Sequence, residues 1–108
     1  MRVISRSALR EYIDSQAGHR DHTSLTNALN AWFAEVQKAN WKNSDDIKRG
    51  YTWASIISAH RVVFDILGNR YRLVTAVDFE KGIVWIKWIG THKEYDRIDV
   101  KKVRYAGD

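Results

Sequence analysis

Between residues 23 and 39 the apolar side chains fall at Leu25, Ala28, Leu29, Trp32, Phe33 and Val36. The spacing i, i+3, i+4, i+7 gathers them on one face, which predicts an amphipathic helix. A shorter helix is predicted before it, with Ala8, Leu9, Tyr12 and Ile13 as its stripe and Ser5 as its N-cap. Ala17-Gly18-His19 reads as the break between the two, and residues 1–5 as a short edge strand. Residues 41–53 are polar with a few apolar anchors, and Ser44-Asp45-Asp46-Ile47-Lys48 predicts a capped helical turn within them.

From Ile56 onward the hydrophobic period becomes that of strands. Residues 60–67 and 70–77 flank Gly68-Asn69, a two-residue turn with glycine first, which suits a type II′ hairpin. A third strand over residues 83–90 is reached through Glu80-Lys81-Gly82, where the glycine is placed for a positive φ. The order predicts an α+β fold, with N-terminal helices packed on a small twisted antiparallel sheet and a polar tail after it.

The hairpin turn sets a register, and the register sorts side chains between faces. Asp65 should lie opposite Arg72, Val63 opposite Val74 and Arg61 opposite Ala76. Val62, Phe64 and Ile66 with Tyr71, Leu73, Thr75 and Val77 form the other, apolar face, which should pack on the helices. The first face then reads as a shallow basic floor. Arginine suits phosphate there because its planar fork gives two parallel charge-assisted hydrogen bonds. The plainer reading is a solvated face with one Asp65–Arg72 cross-strand pair. Lys87 has two registers: opposite Thr75 if the preceding turn has three residues, or opposite Ala76, beside the arginines, if it has two. The cost of burying an unpaired lysine favours the second.

Composition narrows the function classes. The 108 residues predict one domain over 1–108. The absence of cysteine removes disulfides, thiolate nucleophiles and sulfur-ligated zinc sites. Neither a signal-peptide core nor an apolar run of membrane-spanning length is visible, so a soluble cytoplasmic protein is expected. Lysine and arginine number 18 against 13 acids, a net charge of +5. That excess, with a pI of about 9.6, is compatible with a nucleic-acid partner or with a merely solvated basic surface.

Chemistry concentrates where the last strand ends, in Ile89-Gly90-Thr91-His92-Lys93-Glu94-Tyr95-Asp96. If Thr91 caps a helical turn, His92 and Tyr95 stand at i and i+3 on one face. Imidazole can move protons at neutral pH, whereas a tyrosine needs cationic neighbours such as Arg72, Arg61 or Lys87 before it serves as a base. Such a set suits RNA cleavage through attack of a 2′-hydroxyl on its own phosphorus, with arginine on the phosphoryl oxygens and no metal or cofactor. The alternative is that His92 and Tyr95 only cap and pack the sheet end.

Arg61-Val62-Val63-Phe64-Asp65-Ile66, Gly68-Asn69-Arg70-Tyr71-Arg72-Leu73 and Gly90-Thr91-His92-Lys93-Glu94-Tyr95-Asp96 together resemble the HigB family of toxins from type II toxin–antitoxin modules. Trp41, Ser44-Asp45-Asp46-Ile47-Lys48 and Tyr51 also fit that family's pattern, so the resemblance covers about residues 41 to 98. It implies a RelE-like fold and an mRNA interferase that cleaves translated messages at the ribosome. It also implies a HigA-like helix-turn-helix antitoxin, with operator DNA bound only through the toxin–antitoxin complex. By position it implies catalytic roles for Arg72, His92 and Tyr95, and RNA-binding roles for Lys87 and Lys93. Arg61 joins the RNA-binding set through the register reading. Two positions depart from the pattern: Asp65 stands where asparagine is frequent, and Thr52 where proline is frequent.

Other constellations carry less. His19-Arg20-Asp21-His22 lacks further ligands for a metal, and no glycine-rich phosphate loop or GxSxG elbow is present. Trp85 and Trp88 are expected in the core. Two rival functions remain open: a toxin of the same fold that inhibits DNA gyrase without nuclease chemistry, and a plain RNA-binding module.

Overall fold

The computed structural model describes residues 1–103. Its elements run β1 (Arg2–Ile4), α1 (Arg6–Ser15), α2 (His22–Lys38), α3 (Ser44–Gly50), β2 (Ser55–Ile56), β3 (Arg61–Ile66), β4 (Tyr71–Asp78), β5 (Ile83–Thr91) and α4 (His92–Tyr95). Among the described residues the sheet has five strands in the order β1-β5-β4-β3-β2. No helix among them is long and apolar enough to cross a membrane.

The two N-terminal helices arise from the stripes that predict them. Leu25, Leu29, Trp32 and Val36 of α2 are buried, as are Ala8 and Leu9 of α1. Ser5 sits at the N-cap position of α1, but in the left-handed region at φ 71° and without a side-chain cap. Asn43 caps α3 instead of a serine inside it, accepting from Asp46 N at 3.1 Å. On the sheet, Val62, Phe64, Leu73, Val77, Val84 and Ile86 meet these helices in one continuous core. Phe64 is its centre, with the ring centroids of Tyr51, Trp32 and Trp41 at 5.1, 5.4 and 6.1 Å. Burying such rings supplies most of the driving force for a chain of this size.

The register of the β3–β4 hairpin is the expected one: Arg61 pairs with Ala76, Val63 with Val74 and Asp65 with Arg72. The turn itself differs, because Leu67 as well as Gly68 takes a positive φ, 55° and 68°. Gly82 takes the positive φ expected of it, 70°. The sheet is antiparallel from β2 through β5, but β1 joins β5 in parallel. A three-residue strand carries propensity without direction; the edge it fills decides that.

Neither register considered for Lys87 forms. Four residues separate Asp78 from its partner Ile83, and the ladder then slips by one, with Thr75 opposite Ile86 but Val74 opposite Trp88. Lys87 is the extra residue of this β-bulge. The physical reason lies beyond it. Without the slip Trp88 would oppose Leu73 on the core face and Ile89 would face outward. With it Ile89 enters the core at 4% exposure, and Trp88 joins Trp85 on the outer face. The core placement expected for these tryptophans is therefore corrected: both are half-buried on the face away from the helices.

Candidate functional site

The outer face is not the open basic floor that its residue types suggest. Val63 and Val74, which point away from the helices, are 1% and 0% exposed. Arg61 Nη1 donates to Val100 O at 3.0 Å and Val103 O at 2.7 Å. The segment after α4 thus crosses this face at the Arg61 end. Arg61 stands four residues along β3 from Asp65, about 13 Å at the usual strand rise. The structure separates it from Arg72 and engages it with the chain's own carbonyls.

Arg72 lies at the other end and is held from two sides. Its Nε is 3.3 Å from Asp65 Oδ1, and its Nη1 donates to Asn69 O at 2.8 Å. The side chain is 13% exposed, so these contacts fix the guanidinium at a partly dry rim. Its central carbon lies 5.9 Å from the centroid of the Tyr95 ring. That ring in turn meets Trp88, centroid to centroid at 6.3 Å.

The backbone between them makes this stack possible. The Trp88 indole closes over Gly90, where a Cβ would stand 2.4 Å from Cη2 and 2.6 Å from Cζ2 of the ring. Thr91 then caps α4 as expected, in a reciprocal box: its Oγ1 accepts from Glu94 N at 3.1 Å, and Glu94 Oε1 accepts from Thr91 N at 2.8 Å. His92 N donates to Arg70 O at 2.9 Å, tying the turn to the start of β4. The capped turn sets where Tyr95 and His92 point.

Burial pushes the Tyr95 phenol above its ordinary pKa; Arg72 pulls it down, while Asp65 and Asp96 push it up again. The expectation that cationic neighbours make Tyr95 a base is corrected, because desolvation and two carboxylates outweigh one arginine. At neutral pH Tyr95 carries its proton.

His92 is exposed, its Nε2 3.8 Å from Asp96 Oδ2. It lines a cleft with Lys93, Arg70, Tyr71 and the α1–α2 loop residues His19, Arg20 and Asp21. Asp21 is occupied there by Arg70 Nη1 at 2.8 Å. The structure brings Arg72 and Tyr95 into contact, and sets His92 and Lys93 along the neighbouring cleft. Lys87 lies in the bulge.

The Asp65 support of Arg72 follows from the hairpin register, whereas residue types alone do not single out the Asn69 carbonyl behind Arg72, Gly90 beneath Trp88 or Asp96 beside His92. Trp53 carries a signal of its own, a tryptophan in a polar loop and outside any hydrophobic period.

Among the curated proteins compared, none matches the chain. The family described as HigB_toxin, RelE-like toxic component of a toxin–antitoxin system, matches residues 25–98. That span carries nearly all of α2, the Phe64 core, the hairpin that fixes Arg72, the bulge that turns Trp88 outward and the capped turn bearing Tyr95. The chain accordingly belongs to the HigB toxin family, the RelE-like toxic component of a toxin–antitoxin system.

Proposed function

We propose that this toxin is an endoribonuclease that cuts translated mRNA at the ribosome, in the cytoplasm. The observation that carries the reading is Arg72, anchored by Asp65 and Asn69 in the lining of a cleft, with the ring of a protonated phenol against its guanidinium. A fixed cation suits charge that develops on phosphoryl oxygens, because no reorganisation is needed as the reaction proceeds.

In this reading a 2′-oxygen attacks the adjacent phosphorus and the bond from phosphorus to the 5′-oxygen breaks. The products are a 2′,3′-cyclic phosphate and a 5′-hydroxyl. Arg72 holds the phosphoryl oxygens through its Nη2 edge. Tyr95, protonated at neutral pH, donates to the leaving oxygen, and His92 beside Asp96 takes the 2′ proton. Lys93 and Lys87 contact the RNA backbone; Arg61, committed to Val100 and Val103, is left with a structural role. The partner is an antitoxin, which we infer to be a HigA-like helix-turn-helix protein whose complex with the toxin binds operator DNA.

The test is to map 5′ ends of cellular mRNA after inducing the wild type, Arg72→Ala, Tyr95→Phe and His92→Ala. Codon-phased cuts should appear with the wild type and fall roughly 10²- to 10⁴-fold when an acid or base is lost. Intact messages with growth still arrested would sink the nuclease reading and point to a non-catalytic target such as DNA gyrase. Salt-sensitive RNA binding without cleavage would leave a plain RNA-binding protein.

A further inference from the structure

Trp53 is 82% exposed, the most exposed large apolar side chain among the described residues. Its loop is not loose. Lys48 Nζ donates to Thr52 O at 2.6 Å and Ala54 O at 2.8 Å, gripping the residues on either side of the indole. Ala54 N donates to Tyr51 O at 3.0 Å, closing the same turn, and Ala54 itself is buried. A large aromatic ring is therefore presented to solvent from a pinned backbone. An indole left in water forgoes the stabilisation that its burial would bring.

The ring does not stand alone. With Asp65, Gly68, Asn69 and Arg72 it lines a cleft of about 380 Å³, within the range that small ligands occupy. Arg72 thus shares this cleft with Trp53 and also lies over the Tyr95 ring.

We propose that Trp53 is a stacking platform for one nucleobase of single-stranded RNA, the nucleotide whose phosphate Arg72 holds. This rests on the nuclease reading for its ligand, and adds to it a residue that positions the strand. The chemistry of the cleft favours a nucleotide over an apolar protein side chain. A nucleotide offers a flat π-face to the indole and an anion to the guanidinium at once. A buried apolar side chain would strip water from the Asp65–Arg72 pair without replacing it. Asn69 at the cleft edge can offer both a donor and an acceptor to a base edge. Stacking tolerates every base, so Trp53 contributes affinity and position more than sequence preference.

The test uses the full chain and single-stranded 2′-O-methyl RNA, which has no free 2′-hydroxyl to attack, with 2-aminopurine stepped along it. On binding, the wild type should quench the probe at one position. Trp53→Ala should lose that quenching and weaken the dissociation constant by about tenfold or more. Trp53→Phe should retain most of both, and all three proteins should melt at the same temperature. Where free RNA binds too weakly to titrate, the same proteins are compared in cleavage on programmed ribosomes, expecting a raised KM with Trp53→Ala and recovery with Trp53→Phe. Equal binding and equal cleavage by wild type and Trp53→Ala overturn the platform while leaving the nuclease intact. Trp53-dependent binding without any cleavage by the wild type keeps the platform and removes the nuclease. Loss of nothing but co-purification with the antitoxin would assign the indole to protein docking and overturn the inference.

Discussion

Gly90 illustrates how one missing atom organises its neighbours. The Trp88 indole fills the space a Cβ would take, and through that contact Trp88 reaches Tyr95. Gly90→Ala should push the indole off the strand at a cost of about 1–3 kcal/mol, read as a lowered urea midpoint. It should also loosen the Tyr95 ring, visible as a changed near-ultraviolet circular dichroism band. An unchanged midpoint would mean the indole can rotate away freely. Asp65 acts at the same scale: it orients Arg72 and at the same time raises the Tyr95 pKa, so one carboxylate sets both the cation and the proton of the site.

The shortest helix governs where Tyr95 stands. The four-residue α4 cannot hold itself by length, since nucleating a helix fixes three residues for one hydrogen bond. The Thr91–Glu94 box supplies the missing partners. Thr91→Ala should cost about 1 kcal/mol of stability, and under the proposed function should reduce message cleavage by more than that loss explains. Cleavage that falls only in step with stability would detach the cap from the site. The capped turn and the hairpin register were legible in the sequence because each is local: Thr91-His92-Lys93-Glu94 carries its own cap, and Gly68-Asn69 its own turn. The bulge at Lys87 was not legible, because it reconciles a four-residue loop with the need to bury Ile89, and those demands meet only in the folded sheet. Nor was the fate of Arg61, whose carbonyl acceptors lie about forty residues away. The hairpin register suggests a phosphate ligand at Arg61; tertiary packing engages it with backbone carbonyls instead.

For the molecule as a whole, stability should turn on alkali rather than acid at these aromatic sites. Burial raises the pKa of Tyr51, Tyr71 and Tyr95 alike, helped at Tyr51 by its hydrogen bond to Glu35 and at Tyr71 by Asp21. Below about pH 10, the ordinary tyrosine value, folded and unfolded chains both keep these protons. Above it the unfolded chain releases protons that the native one retains, so stability falls as pH rises toward the folded values. Urea midpoints measured from pH 8 to 11 should drop, and the drop should be smaller in Tyr51→Phe. Equal slopes in the two proteins would remove Tyr51 from the account.

The parallel pairing of β1 with β5 carries a consequence in time. Arg2 is made near the start of synthesis, but its partner Ile83 follows about eighty residues later. Until then the first strand has no ladder to join, while α1 and α2 already have their apolar stripes exposed. Arg72, Trp88 and the Thr91–Tyr95 turn all belong to the same late stretch. Under the proposed function a nascent chain would therefore lack its nuclease site for most of its synthesis, because the stretch that closes the sheet is also the one that carries the candidate residues.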